Sequence, residues 1–378
     1  MSDAVILVSP APVDGYPPVQ YQARLIADSG IDVELVTQPF AGATSVKFQH
    51  PNVKVTTLKP IPRGLPRRMH ALMLLKQMLA FIAAVTWIRT RRSVRAEIAF
   101  DADGIFISDM ALFRPRRRVA HLHETQQRMG TSPLETRLRK ALRQYGRVVV
   151  ADAGRAELLR EQMGMTDLPF VTPNYPLKER SAPGTMRPGP GFEVIYGGSL
   201  GPVQLIDLVI RSVPLWPDEA HLTLIGDDTK PAAVELKALA ASLGIADRVR
   251  FAGWMDLDQI TERYREAHLA ISLLAPEVTQ ILSNVGASNK RYQYMQAGLA
   301  QISDRIPALI EVIDDNGIGR SVADYTEQSI ADIVHYYWSR PEERIAAGER
   351  AEQLHLERYN YQNAFAPTLG WIREKVSA

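Results

Sequence analysis

The sequence predicts an α/β protein built from two doubly wound domains in tandem. Two observations carry that prediction. Short apolar, β-rich runs alternate with helical patterns along nearly the whole chain, which is the signature of parallel sheets covered by helices. The alternation breaks once, over residues 179–191, where prolines and glycines crowd a stretch with almost no apolar content, and it restarts at Phe192. We read that break as a linker between a first domain at 1–178 and a second at 192–378, whose last helix is a candidate to cross back to the first domain. A length of 378 residues suits two domains.

The elements follow in order. In the first domain the expected strands are Val5–Ser9, Asp32–Thr37, Val53–Leu58, Gly104–Ile107, Arg118–His121, Arg147–Val150 and Phe170–Thr172. In the second they are Phe192–Tyr196, His221–Ile225, Val249–Ala252, Leu269–Leu273 and Ala300–Ser303. Helical patterns fall between them, among them Val19–Ser29, Ser132–Tyr145, Pro231–Leu243, Leu257–Glu266 and Lys290–Ala297. Sheets of this kind hold ligands at the carboxyl ends of their strands, so a site is expected in the cleft between the domains.

Composition narrows the chemistry. Hydrophobic residues are 46% and charged residues 23%, a globular balance, and there is no cysteine. Disulfides, thiolate catalysis and cysteine-based metal sites are excluded. The opening residues read as a buried strand rather than a targeting signal, and the chain is expected to be cytoplasmic. The net charge of +2 hides an asymmetry: residues 1–178 carry +10 and the remainder −8. The basic half is therefore expected to meet something anionic. Within it, residues 65–92 are apolar in the middle and basic at both ends, with Trp87 inside. Lys76 and Gln77 interrupt the run, so it is not expected to span a bilayer. It reads either as a core-packed helix or as a long amphipathic helix lying on an anionic membrane, on the inner face. Nucleic acid is not expected, because the cations are not interleaved with aromatics.

Three strands of the second domain end in glycine, at Gly197-Gly198-Ser199, Gly226 and Gly253. Such turns let backbone N–H groups approach a phosphate closely. Trp254 and Met255 follow the third. A fourth element runs from Gly286 through Ser288, Asn289, Lys290 and Arg291 to Gly298. Ser288 or Asn289 is a good N-cap and Gly298 a good stop, so a short helix is expected. Its free N–H groups, with Lys290 and Arg291, suit a diphosphate. In the first domain, His123 and Glu124 follow a strand, a pairing that can orient a sugar hydroxyl or exchange protons. Asp14, Gly15 and Tyr16 lie in the loop after the first strand and are candidates to bind acceptor hydroxyls. No third ligand at suitable spacing supports a metal.

The run Ser288-Asn289-Lys290-Arg291-Tyr292-Gln293-Tyr294-Met295-Gln296-Ala297-Gly298, followed by Ser303-Asp304, resembles a segment of the retaining GT-B glycosyltransferases, glycosyltransferase family 4 in particular. The glycine landmarks and Asn174 fall in that family's order. The resemblance implies a GT-B fold and transfer of a sugar from a UDP- or GDP-linked donor, with retention and without a required metal or other cofactor. The acceptor would be a glycan, a lipid-linked or a small molecule. It further implies that Ser288, Asn289 and Lys290 lie by the diphosphate, that Trp254 and Met255 lie by the base, and that His123 faces the sugar. Gln293 stands where the family has a Glu on the ribose, and the basic residues usual after the first glycine turn are missing here. Those departures keep open a catalytically silent subunit. An epimerase of the same fold is the other rival.

Overall fold

The computed structural model describes residues 3–62, 64–123, 132–180, 191–275 and 285–374. The chain divides into two compact units, residues 1–174 with 361–378, and residues 175–360. Residues 175–178 thus pack with the second unit and the last helix belongs to the first. Most of the expected linker, 181–190, lies outside the described residues.

The first unit holds seven parallel strands, β1 (Asp3–Pro12), β2 (Asp32–Gln38), β3 (Val53–Thr57), β4 (Ser93–Phe100), β5 (Arg118–Leu122), β6 (Arg147–Val150) and β7 (Phe170–Val171), in the order β3-β2-β1-β4-β5-β6-β7. Its helices are α1 (Pro17–Asp28), α2 (Arg67–Arg91), α3 (Asp101–Met110), α4 (Pro133–Leu142), α5 (Ala153–Met163) and, from the end of the chain, α13 (Tyr361–Arg373). The second unit holds β8 (Phe192–Gly197), β9 (Ala220–Ile225), β10 (Val249–Phe251), β11 (Leu269–Ser272), β12 (Ala300–Ser303) and β13 (Gly319–Ser321), all parallel, in the order β10-β9-β8-β11-β12-β13. Its helices are α6 (Ile206–Ser212), α7 (Pro231–Ser242), α8 (Leu257–Arg265), α9 (Asn289–Gln296), α10 (Pro307–Ile313), α11 (Glu327–Ser339) and α12 (Pro341–Glu357).

Both sheets are doubly wound, as the alternation predicts. A parallel sheet is covered on both faces, so its central strands read as unbroken apolar runs. Ala4–Val8 and Val194–Tyr196 are accordingly buried along their length. In each sheet the strand order reverses beside the first strand of its unit, between β1 and β4 and between β8 and β11. Those reversals leave a crevice at the carboxyl ends of the strands, where doubly wound sheets hold ligands.

Two expectations of the first unit fail. Gly104–Ile107 is not a strand but the middle of α3, and the strand at that point of the sheet is β4, which ends at Phe100, before α3 begins. A four-residue apolar run cannot distinguish a strand from a buried helix turn. β4 itself was hidden by Arg95 and Glu97. Glu97 is fully buried, where Arg89 of α2 grips it through Nε–Oε2 at 2.9 Å and Nη2–Oε1 at 2.6 Å. Arg89 also donates to the carbonyls of Ser108, Ala111 and Leu112, so one guanidinium ties α2, β4 and the end of α3 together.

The second correction concerns α2. It is one helix of 25 residues, but its apolar residues are not segregated to one side. Its second half packs through Phe81, Val85 and Ile88 on β1 and β2, whereas none of residues 67–80 is buried. The helix is therefore neither wholly core-packed nor amphipathic along its length.

Candidate functional site

In the second unit the three glycine turns are linked in series. Gly198 N–H donates to Ile225 O at 2.9 Å and Gly226 N–H donates to Gly253 O at 3.0 Å. Glycine is required here by close approach. A Cβ on Gly226 would stand 2.3 Å from the Gly198 carbonyl oxygen, and one on Gly197 would stand 2.0 Å from the Tyr264 hydroxyl. Gly198 adopts φ +140°, and its missing Cβ leaves room for the Lys290 side chain, whose Cε would lie only 2.8 Å away. Replacing Gly226 with Ala is expected to destabilise this unit by about 1–3 kcal/mol through overpacking against a carbonyl that cannot rotate aside. A lower denaturant midpoint would register it; an unchanged midpoint would show that the two turns can part.

Gly198, Ser199, Gly226, Trp254 and Met255 line one cavity of about 290 Å³, together with Leu200, Asp227 and Lys230. Trp254 is 59% exposed and forms its outer wall. Five residues placed at the site from sequence thus share a single cavity.

α9 begins beside it. Ser288 holds the N-cap position, but its side chain makes no capping hydrogen bond. Gly298 ends the helix at φ +68°, with Leu299 N–H returned to Tyr294 O at 3.0 Å. Lys290 Nζ sits 4.9 Å above the ring of Tyr196, which donates its hydroxyl to Ser199 O at 2.7 Å. Burial, and then the neighbouring Arg291 charge, lower the Lys290 pKa to about 8. Tyr294 locks the helix to the sheet: its hydroxyl accepts from Gly197 N–H at 3.1 Å and donates to Ile271 O at 3.3 Å.

Arg291 does not stand beside Lys290 as a second surface cation. It is 1% exposed and turns inward, 3.7 Å from the carboxylate of Asp304. The other Asp304 oxygen accepts from Leu274 N–H at 2.8 Å. Burial raises the Asp304 pKa against these contacts. The helix is buried from Arg291 to Gln296, Gln293 included, because β11, β12 and α12 enclose it. Gly286 is buried and Asn289 partly exposed.

In the first unit the loop after β1 meets the ends of β4 and β5. Asp14 accepts from the backbone N–H groups of Lys47 and Phe48, at 2.9 to 3.0 Å, so its carboxylate fastens a neighbouring loop. Gly15 is packed under Phe40, whose Cζ would lie 2.6 Å from any Cβ. Tyr16 instead joins His123: their rings lie 4.7 Å apart, and both bond Asp101. Tyr16 Oη donates to Asp101 Oδ2 at 2.6 Å, and the backbone N–H of His123 donates to Asp101 Oδ1 at 2.8 Å. Asp101 occupies φ +53° at the junction of β4 and α3, a conformation that costs a non-glycine residue free energy and clusters at functional sites. Sequence reasoning missed Asp101 because it places the strand at Gly104–Ile107, after Asp101, whereas β4 (Ser93–Phe100) ends directly before it. The signal available was an Asp directly after a β-patterned run.

The His123 ring is buried and stacks on His121 at 4.2 Å. Neither ring nitrogen has a hydrogen-bond partner among the described residues. Burial, followed by the charge of Arg155, pushes its pKa down to about 3, so the imidazole is neutral. Such a ring can donate or accept one hydrogen bond but is a poor carrier of protons. Glu124, its expected partner, lies outside the described residues.

Residues 191–339 match the family model described as Glycosyl transferases group 1. No curated protein matches the chain by sequence. Among solved structures, the chain is similar to a sucrose-phosphate synthase from Thermosynechococcus elongatus, at 14% identity and TM-score 0.73, covering 98% of each chain. A glycosyltransferase from Rickettsia africae aligns at 13% identity and TM-score 0.73, again over 98% of each. HepE from Anabaena, solved in complex with UDP, aligns at 17% identity and TM-score 0.69, over 98% of this chain and all of that one. The fold is that of the GT-B glycosyltransferases, and the match to the family model is confined to residues 191–339, within the second unit.

Proposed function

We propose that this protein transfers a sugar from a nucleotide diphosphate to a hydroxyl of a glycan, lipid-linked or small-molecule acceptor, with retention and without a resident metal or cofactor. The observation that carries the reading is the Lys290 ammonium at the first turn of α9. It lies against the neutral turn at Gly198, and that turn opens into the cavity walled by Trp254. An ammonium and free helix N–H groups at one spot form an anion seat. The diphosphate would sit there, the base in the cavity against Trp254 and Met255, and the ribose by Gln293. HepE has been solved with UDP and with UDP-glucose, which supports a donor of that class.

As the glycosidic bond breaks, negative charge grows on the departing diphosphate, and Lys290 with the helix N-terminus stabilises it. Same-face attack gives retention: the acceptor oxygen bonds the anomeric carbon while its proton passes to the departing phosphate oxygen. Within the first unit, Tyr16, Asp101 and neutral His123 form a cluster suited to hydrogen-bonding sugar hydroxyls.

One observation favours a second reading. Arg291 turned inward, with no cation in the Gly198–Gln204 turn, leaves the seat thinly charged, as in a subunit that binds nucleotide without turning it over. Calorimetric titration with UDP and GDP, followed by assay of nucleotide-sugar hydrolysis, separates the two. Binding with hydrolysis is expected. Binding without turnover by any donor would favour the silent subunit, and failure of both nucleotides to bind would sink both readings.

A further inference from the structure

We propose that the first half of α2 and the loop after α3 form a docking surface for an anionic phospholipid bilayer. This goes beyond the sugar-transfer reading and does not rest on it.

The exposed half of α2 carries Met69, Leu72, Leu74, Leu75 and Leu79, each about half exposed or more. Leu72, Leu75 and Leu79 follow i, i+3, i+7 spacing and share one face. Gln77, on the opposite side, ties the helix to Gln38 Oε1 and Lys59 O. A second apolar prominence adjoins the helix. Leu112 and Phe113 are 62% and 67% exposed, and Phe113 is held at φ +57°. Leu112 N–H donates to Thr86 Oγ1 at 3.1 Å, and Arg89 holds the carbonyls of Ala111 and Leu112, so the loop is fixed to α2. Exposed Trp87 lies beside this junction, with the Arg91 guanidinium 4.7 Å and Lys54 Nζ 5.5 Å from its ring. A ring of this kind suits the headgroup boundary.

The charge pattern selects the occupant. Residues 65–92 contain no acidic residue; Arg67, Arg68, Lys76 and Arg91 are exposed there, whereas Arg89 and Arg92 are paired with Glu97 and Glu34, and exposed Arg114 and Arg116 follow the second prominence. Apolar side chains rimmed by cations match a surface that is oily beneath an anionic face. A second copy of the chain would bring the same cations against themselves across a two-fold axis. Spanning is ruled out by the fold, although α2 is long and apolar enough by composition. Its second half is packed on the sheet, and residues 67–80 reach only about 21 Å as a helix, short of the ~30 Å hydrocarbon core.

Co-sedimentation with phosphatidylcholine vesicles, with and without phosphatidylglycerol, tests the surface. Wild type should partition at least about tenfold more strongly onto the anionic vesicles, and added salt should weaken it. Leu72→Asp/Leu75→Asp should bring binding down to the neutral-vesicle level, and Phe113→Ser should lower it several-fold. These positions are exposed, so folding should be untouched; the control Val234→Asp, at an exposed position of α7 in the other unit, should bind as wild type. Equal binding to both vesicle types, or full binding by the double variant, would overturn the proposal. So would a wild-type dimer that the double variant converts to monomer.

Discussion

Lys290→Ala should weaken UDP or GDP binding about 10–100-fold, the equivalent of one charge-assisted hydrogen bond of ~1.5–3 kcal/mol. The loss should exceed that from altering any neighbouring cation, because Arg291 is committed to Asp304. The pH dependence is more diagnostic. The free protein holds Lys290 at a pKa of about 8, chiefly through burial. A bound diphosphate favours the charged ammonium and raises that pKa. Affinity should therefore be flat below pH 8 and fall as pH rises past it, by up to tenfold per unit, because binding must then take up a proton. Lys290→Ala should remove this slope, and Lys290→Arg should remove it while keeping most of the affinity. Calorimetry across pH 7 to 9.5 reads all three; a slope surviving in Lys290→Ala would place the titrating group elsewhere.

Arg89→Met should be the most damaging single exchange in the first unit. It strands the Glu97 carboxylate in the middle of the sheet with both side chains fully buried, and breaking a buried pair from one side costs about 3–5 kcal/mol. In a unit of this size the thermal midpoint should drop on the order of 10 °C. Replacing both partners, as Arg89→Met/Glu97→Leu, should recover most of the loss, since an apolar pair of similar volume carries no stranded charge. If the double variant melts as low as the single one, the lost carbonyl contacts of Arg89 dominate instead.

The same ion pair explains what the sequence concealed. β4 contains a buried Glu, so its pattern does not read as an inner strand, whereas the apolar run inside α3 does. That displacement also hid Asp101, whose role depends on standing directly at a strand end. Where the apolar run is unbroken, as over Ala4–Val8 of β1 and Leu269–Ile271 of β11, the residues alone locate the strand. At the candidate site, glycines required by close approach were legible because few other reasons place Gly at a strand end. Side-chain direction was not. Lys290 and Arg291 are adjacent and chemically alike, yet one lies beside Gly198 and the other pairs inside with Asp304. Only the packing of α9 against the sheet decides which is which.

The Tyr294 hydroxyl bears on how donor preference can drift. By joining Gly197 to Ile271 it makes the phosphate-binding turn and its helix a single stiff body with the sheet. Exchanges there would disturb every donor alike, whatever its base or sugar. Asp227, Lys230 and Trp254 line the outer wall of the same cavity, on the loops after β9 and β10. Natural variation in substrate range should accumulate along that wall, and libraries aimed at new donors would be best confined to it.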